Sequence, residues 1–281
     1  MKKIKLKTPA KINLTLDVLG VTEGYHDIKS LVASIDLYDE ITLRARKDST
    51  IMLECTGINI DCPIFNNNAY KAAQAFIKKF STRGVDIKIK KNIPIGAGLG
   101  GSSADIAGVL NGMKALYGVK GSLANIANDL GSDSGYMLSG GYAVLTGRGE
   151  RVHPKDIETT LYVLLITEAE GIKAKASYKA FDKLEKTFKN CTSAAEKALK
   201  DGDQEKFNST IKNDLYYASK EILPQIQGNV FVLKKAGAPA VVMTGSGSAV
   251  YGVFFDKKER DKVYKKLLPI YGDKLIKAQT L

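Results

Sequence analysis

The chain has 281 residues, 44% hydrophobic and 26% charged, a balance that excludes disordered, collagen-like and disulfide-rich classes and provides for one large or two smaller domains. A net charge of +12 suits anionic metabolites, but the lysines are scattered and mixed with acids, so no nucleic-acid partner is expected. No apolar run nears the ~20 residues of a membrane helix, and the basic start Met1-Lys2-Lys3 lacks the apolar core of a signal peptide, so no membrane partner is expected either.

Cys55, Cys62 and Cys191 stand at no metal spacing, and His26 and His153 are the only histidines. These counts predict a cytoplasmic protein in a reducing compartment with no zinc site.

Near the start, Ile12, Leu14 and Leu16 alternate with Lys11, Asn13 and Thr15, a strand period that puts Lys11 and Asn13 on one face. Further strands are expected over 30–37 and 40–46. A helix follows Asn66-Asn67-Asn68, with Ala73, Phe76, Ile77 and Phe80 on one side. Val85, Ile87 and Ile89 then alternate with Asp86, Lys88 and Lys90 as a half-buried strand. Ile106, Val109, Leu110, Met113, Leu116 and Tyr117 recur at helical spacing over 103–117, with Ser102 or Ser103 in position to cap.

A helix over 121–130, a hairpin over 141–152 and a buried strand over 162–166 come next. A long Lys-rich helical region covers 177–233. Strands at 241–243 and 250–255 flank a second glycine turn, and a helix at 257–268 and a short strand complete the pattern. Strands and helices mixed without strict alternation indicate an α+β protein, with its two halves sharing a cleft.

The most informative stretch is Pro94-Ile95-Gly96-Ala97-Gly98-Leu99-Gly100-Gly101-Ser102-Ser103-Ala104. Its glycines let the backbone approach a ligand closely. N–H groups gathered at a helix start favour an anion, so the expected ligand is a nucleotide phosphate. A P-loop is excluded, because no Lys-Ser or Lys-Thr follows the last glycine. The dinucleotide fingerprint fits only with its third glycine slipped by a residue. It also needs an acidic residue on a strand about 20 residues later, where this chain reads as a helix end and a turn.

Pro9-Ala10-Lys11-Ile12-Asn13-Leu14, the glycine loop and Thr244-Gly245-Ser246-Gly247-Ser248 together resemble the three motifs of the GHMP kinases, which act on galactose, homoserine, mevalonate and phosphomevalonate. Gly24-Tyr25-His26, Gly131-Ser132-Asp133, Gly147-Arg148-Gly149-Glu150 and Asn213-Asp214-Leu215 bring the likeness nearest to the branch acting on diphosphocytidyl methylerythritol. The resemblance implies an α+β fold of two domains with a cleft between: a ribosomal-protein-S5-like ATP-binding domain over 1–157 and a ferredoxin-like domain over 158–281. It implies ATP and Mg2+ as cofactors. The small-molecule substrate would be a cytidine diphosphate-linked alcohol, phosphorylated on its 2-hydroxyl for non-mevalonate isoprenoid synthesis.

The same resemblance assigns roles. Pro94, Gly96, Gly98, Leu99, Gly100, Gly101, Ser102, Ser103 and Ala104 hold the ATP phosphates, which in turn hold most of the Mg2+. Asp133 matches the catalytic aspartate that takes the hydroxyl proton. Lys11 matches the lysine that keeps this carboxylate ionised and offsets charge on the transferring group. Tyr25 stacks on the pyrimidine and His26 bonds its edge, with Tyr178 as second aromatic. Asn13, Thr244 and Gly245 line the alcohol.

Two other functions use the same motifs: a GHMP kinase with another alcohol acceptor such as mevalonate or homoserine, and a non-catalytic nucleotide- or RNA-binding module. Tyr25-His26 argues against the first, and the pair Lys11 and Asp133 against the second. The chain departs from the family pattern at Ser134-Gly135-Tyr136-Met137 and over 168–177, where Glu168 and Glu170 add two carboxylates near the expected substrate edge.

Overall fold

A computed structural model describes residues 2–58, 63–184 and 189–281; Cys62 lies outside the described residues. The elements begin with β1 (Lys3–Asn13), β2 (Asp17–Thr22), β3 (Tyr25–Ala45) and β4 (Ile51–Gly57). Then come α1 (Asn68–Phe80), β5 (Val85–Lys91), α2 (Gly101–Tyr117), α3 (Ala124–Leu130), α4 (Ser134–Met137), β6 (Tyr142–Gly147), β7 (Arg151–Pro154) and β8 (Tyr162–Ile166). Five helices follow: α5 (Ala174–Phe181), α6 (Thr192–Asp201), α7 (Gln204–Thr210), α8 (Tyr216–Ile222) and α9 (Gln225–Ala236). The chain closes with β9 (Ala240–Met243), β10 (Val250–Phe254), α10 (Lys257–Tyr271) and β11 (Leu275–Gln279).

These elements form two compact units interleaved along the chain. The first comprises Met1–Ala10, Leu37–Ile95 and Gly100–Gly140; the second comprises Lys11–Asp36, Gly96–Leu99 and Gly141–Leu281.

In the first unit, β5 runs antiparallel to β3, with Ile41 opposite Ile89 and Leu43 opposite Ile87, and parallel to β4. Alternation along β5 buries Val85, Ile87 and Ile89, which join Phe76 of α1, Ile106 and Leu110 of α2 and Ile126 of α3 in one core. Asn67 caps α1, its side chain accepting the Ala69 N–H at 2.9 Å. α2 lies very close to the strands: a Cβ at Gly108 would stand 2.2 Å from Thr8 Cγ2.

In the second unit, the N-terminal part of β3 pairs antiparallel with β2 and β6, and β6 with β7. A separate antiparallel sheet has the order β11-β8-β10-β9. Its apolar face shares a core with α9 and α10 through Leu164, Ile166, Ile226, Leu233, Phe254 and Val263.

Several expectations change. The strands over 30–37 and 40–46 are one strand of 21 residues, because Asp39 is buried within the strand and not turned to solvent. β1 ends at Asn13, where the N–H groups of Leu14 and Thr15 both turn to the Leu31 carbonyl, at 2.8 and 3.2 Å. Neither serine caps α2. The N-cap is Gly100, whose φ of +72° suits glycine, and Ser102 and Ser103 lie inside the first turn. The helix expected over 121–130 starts at Ala124. The 177–233 pattern resolves into the five helices above, with breaks at Gly202 and near Pro224, and residues 185–188 of it lie outside the described residues.

Candidate active site

In the second unit, Asn13 at the end of β1 is a junction. Its Oδ1 accepts from Lys11 Nζ at 2.7 Å and from the Gly245 N–H at 2.9 Å, while its Nδ2 donates to Ser30 Oγ at 2.8 Å. Its backbone N–H reaches Thr244 Oγ1 at 3.2 Å, and its carbonyl accepts from the Tyr251 hydroxyl at 2.7 Å. Burial holds that phenol well above its ordinary pKa, so it stays a donor. Lys11, Asn13 and Thr244 are all buried, so Lys11 is held in one position while most lysines are solvated. Alternate positions of one strand carry Lys11 and Asn13, which is why both project to the same side.

Residues 96–99 of the glycine loop lie in this unit against the 244–249 turn. Thr244 Oγ1 donates to the Gly98 carbonyl at 3.0 Å, the Ala249 N–H to Ala97 at 3.2 Å and the Lys11 N–H to Leu99 at 3.0 Å. A Cβ at Gly98, where φ is +77°, would stand 2.1 Å from the Thr244 carbonyl oxygen. The turn itself is oriented by Asn213, whose Nδ2 donates to the Met243 and Gly245 carbonyls at 2.8 and 2.7 Å. The structure thus places Lys11, Asn13, Thr244, Gly245 and Gly98 side by side, and it gives Asn213, quoted from the sequence only as part of a motif, the task of aiming the turn.

Tyr25 and His26 open β3 in the same unit. Tyr25 is 57% exposed, with the Arg148 guanidinium 4.7 Å from its ring centroid. The His26 ring stacks on Tyr178 of α5, centroids 4.6 Å apart at 24°, and meets Phe181 edge-on. His26 Nε2 lies 2.6 Å from Asp182 Oδ1. A carboxylate only accepts, so the proton sits on Nε2 and Nδ1 is the nitrogen left to read a ligand in the neutral ring. Tyr178 therefore shares its ring with His26. Asp182, which follows α5, was not legible as a partner from 156 residues away.

The segment at 168–177, which departs from the family pattern, also contributes here. Glu168 accepts from Asn229 Nδ2 at 2.6 Å and Lys274 Nζ at 3.1 Å, so it is tied within its own unit. Gly171 lies against the glycine loop: a Cβ there would stand 2.6 Å from the Gly96 carbonyl oxygen.

In the first unit, the loop ends in Gly100 and the opening of α2, whose free N–H groups and dipole favour an anion. Ser102 is exposed and accepts from Asn68 Nδ2 at 2.8 Å; Ser103 is half-buried. Asp133 is half-buried at the residue before the short α4, and its carbonyl accepts the Met137 N–H at 3.0 Å. Pro94, at the loop's entry, is half-buried, and Ala104 is buried.

The same unit holds a cluster that sequence reasoning missed: Lys91 Nζ bonds both Asp39 Oδ2 and Asp105 Oδ2. Lys91 is one of 42 basic residues, and nothing in the pattern distinguished it. Burial, then the Asp39 charge, pushes the Asp105 carboxyl up to about 7 against the pull of Lys91. For Lys91 the two carboxylates outweigh burial, and its pKa is raised.

Among the described residues no three His, Cys, Asp or Glu side chains converge as a metal cage, and no helix is long and apolar enough to cross a membrane.

A glycine loop leading into a helix, a buried lysine and a second glycine turn define a phosphoryl-transfer enzyme of the GHMP type, and comparison with known proteins agrees. The family model for the N-terminal domain of GHMP kinases matches residues 67–147, and that for their C-terminal domain matches residues 195–274. The chain belongs to the GHMP kinases and is an ATP-dependent small-molecule kinase.

Among its relatives, the 4-diphosphocytidyl-2-C-methyl-D-erythritol kinase of Macrococcus caseolyticus is 33% identical over 92% of this chain and 93% of its own. That of Caldicellulosiruptor saccharolyticus is 34% identical over 93% of this chain and 92% of its own. A crystal structure of a 4-(cytidine 5'-diphospho)-2C-methyl-D-erythritol kinase superposes with a TM-score of 0.83 at 27% identity, covering 98% of both chains.

Proposed function

We propose that this kinase transfers the γ-phosphoryl group of ATP to the 2-hydroxyl of 4-diphosphocytidyl-2-C-methyl-D-erythritol, in the cytoplasm. The observation that carries the reading is the stacked pair of His26 and Tyr178, next in the chain to the exposed Tyr25, which suits a pyrimidine, in a chain whose relatives are named for that substrate across more than nine-tenths of its length. Mevalonate and homoserine have no ring for that group to hold.

In this reading the loop bounded by Pro94 and Ala104 receives the phosphates on the N–H groups of Gly96, Gly98, Leu99, Gly100 and Gly101, with the hydroxyls of Ser102 and Ser103 adding contacts. Asp133 accepts the proton of the attacking hydroxyl. Lys11, oriented by Asn13, offsets charge on the transferring group. Tyr25 stacks on the cytosine and His26 reads its edge. Thr244 and Gly245 line the alcohol, and Asn13 offers it the amide proton not given to Ser30. The donors near the phosphates are hard oxygens, the hydroxyls of Ser102 and Ser103 and the carboxylate of Asp133, which suits Mg2+ held mainly by ATP. Bound there, Mg2+ would neutralise phosphate charge. We assign the ATP-binding domain to 1–157 and the second domain to 158–281, with one family match inside each.

The test is ADP release with Mg-ATP and each of diphosphocytidyl methylerythritol, mevalonate and homoserine. Turnover is expected with the cytidine compound alone, falling by about 100- to 10,000-fold in Asp133→Ala with ATP binding retained. Turnover of another acceptor, or full activity in Asp133→Ala, would overturn it.

A further inference from the structure

Lys91, the last residue of β5, is 3% exposed, and its ammonium sits between two carboxylates of the first unit. It donates to Asp39 Oδ2 from β3 and, at 2.6 Å, to Asp105 Oδ2 from α2, and it stands 3.5 Å from the Gly101 carbonyl. The other oxygen of Asp39 accepts the N–H groups of Asn92 and Ile93 at 2.7 and 2.9 Å. Asn92 Nδ2 adds a bond to the Tyr38 carbonyl at 2.9 Å. The glycine loop therefore departs at Asn92-Ile93 and returns at Gly101 within reach of one buried ammonium.

A buried ion cluster gives weak warrant for stability, because desolvation offsets most of the Coulomb gain. Two apolar side chains would join β5 to α2 at less cost. What the ammonium adds is direction: its bonds to Asp39 of β3 and Asp105 of α2, with Asp39 in turn accepting the loop-entry N–H groups of Asn92 and Ile93, set where the first N–H groups of α2 stand. Phosphate binding by backbone N–H groups depends on that placement.

We propose that Lys91, through Asp39 and Asp105, is a positioning residue for the phosphate-binding loop, tuning affinity for ATP without touching it. The proposal rests on the reading of 94–104 as the ATP phosphate site.

The obvious variant, Lys91→Met, strands two buried carboxylates and risks unfolding. The informative ones are therefore Asp105→Ala, with Asp105→Val filling the space should the first not fold, and Asp105→Asn. The first two remove the Asp105 bond to α2 and leave Lys91 paired with Asp39 and near the Gly101 carbonyl; the third keeps an oxygen for Lys91 to bond. ATP and CDP binding to wild type and variants are measured separately by titration calorimetry.

The expected result is ATP affinity about 10- to 100-fold weaker in Asp105→Ala or Asp105→Val, CDP affinity unchanged and ATP affinity largely restored in Asp105→Asn. A merely structural role would weaken both ligands together, or lower the melting temperature with ATP affinity intact; either overturns the positioning role. A wild type that binds CDP but not ATP would bring down the phosphate-loop reading itself, and this proposal with it.

Discussion

Gly98 and Gly141 share a φ of +77° and differ in what surrounds them. At Gly98 an added Cβ would stand 2.1 Å from the Thr244 carbonyl oxygen, whereas at Gly141 nothing lies within 4 Å of it. Alanine at either position carries the left-handed backbone cost of about 1–2 kcal/mol. At Gly98 the loop must also retreat by about 1.3 Å to restore an ordinary contact of 3.4 Å. It is held against that retreat by the Thr244 hydroxyl and by the Ala249 and Lys11 N–H groups. Overpacking of this kind costs a further ~1–3 kcal/mol.

Gly141→Ala is therefore expected to lose about 1–2 kcal/mol and Gly98→Ala about 2–5 kcal/mol. Urea denaturation of both proteins under identical conditions measures the difference. ATP titration adds the functional arm: weakened binding in Gly98→Ala, unchanged binding in Gly141→Ala. Equal losses of stability would refute the reasoning, because the close approach to Thr244 would then carry no energetic weight.

Two further outcomes are expected. Asp182→Ala removes an exposed partner of His26, so stability should stay within about 1 kcal/mol. KM for the cytidine substrate should rise and preference over its uridine analogue should narrow while KM for ATP holds; unchanged discrimination would sink the role given to Asp182. The Asp105 carboxyl, raised from 3.8 to about 7, makes the folded state hold a proton that the unfolded chain releases between those pH values. Its contribution to stability therefore declines as pH rises through that window and levels off above it. The stability difference between wild type and Asp105→Asn, followed from pH 4 to 8, should carry that slope; a flat difference would contradict it.

Local chemistry was legible wherever it repeats at short range. Alternation identified the 85–90 strand, spacing identified α2, and the density of glycine located the loop that enters it, because strand and helix periods and positive φ angles are properties of neighbouring residues. The three motifs carried the GHMP family, and the pairing of Lys11 with Asn13 followed from strand geometry alone. Elements failed where a distant contact overrode a local signal. The strands expected over 30–37 and 40–46 run together, with Asp39 buried between them and paired with Lys91, 52 residues away. Ser102 looked like a cap, but the backbone at Gly100 had already made the turn.

Tertiary structure decided which polar groups have partners. Asn13 is occupied by Lys11, Ser30, Thr244 and Gly245, His26 by Asp182 and Tyr178, and Gly96 is packed by Gly171. None of these follows from composition or period, because the energy of a buried hydrogen bond or a close contact depends on a partner that only the folded chain brings within 3 Å. The sequence by itself determined the reaction class and the parts of the loop; the fold determined what holds those parts still.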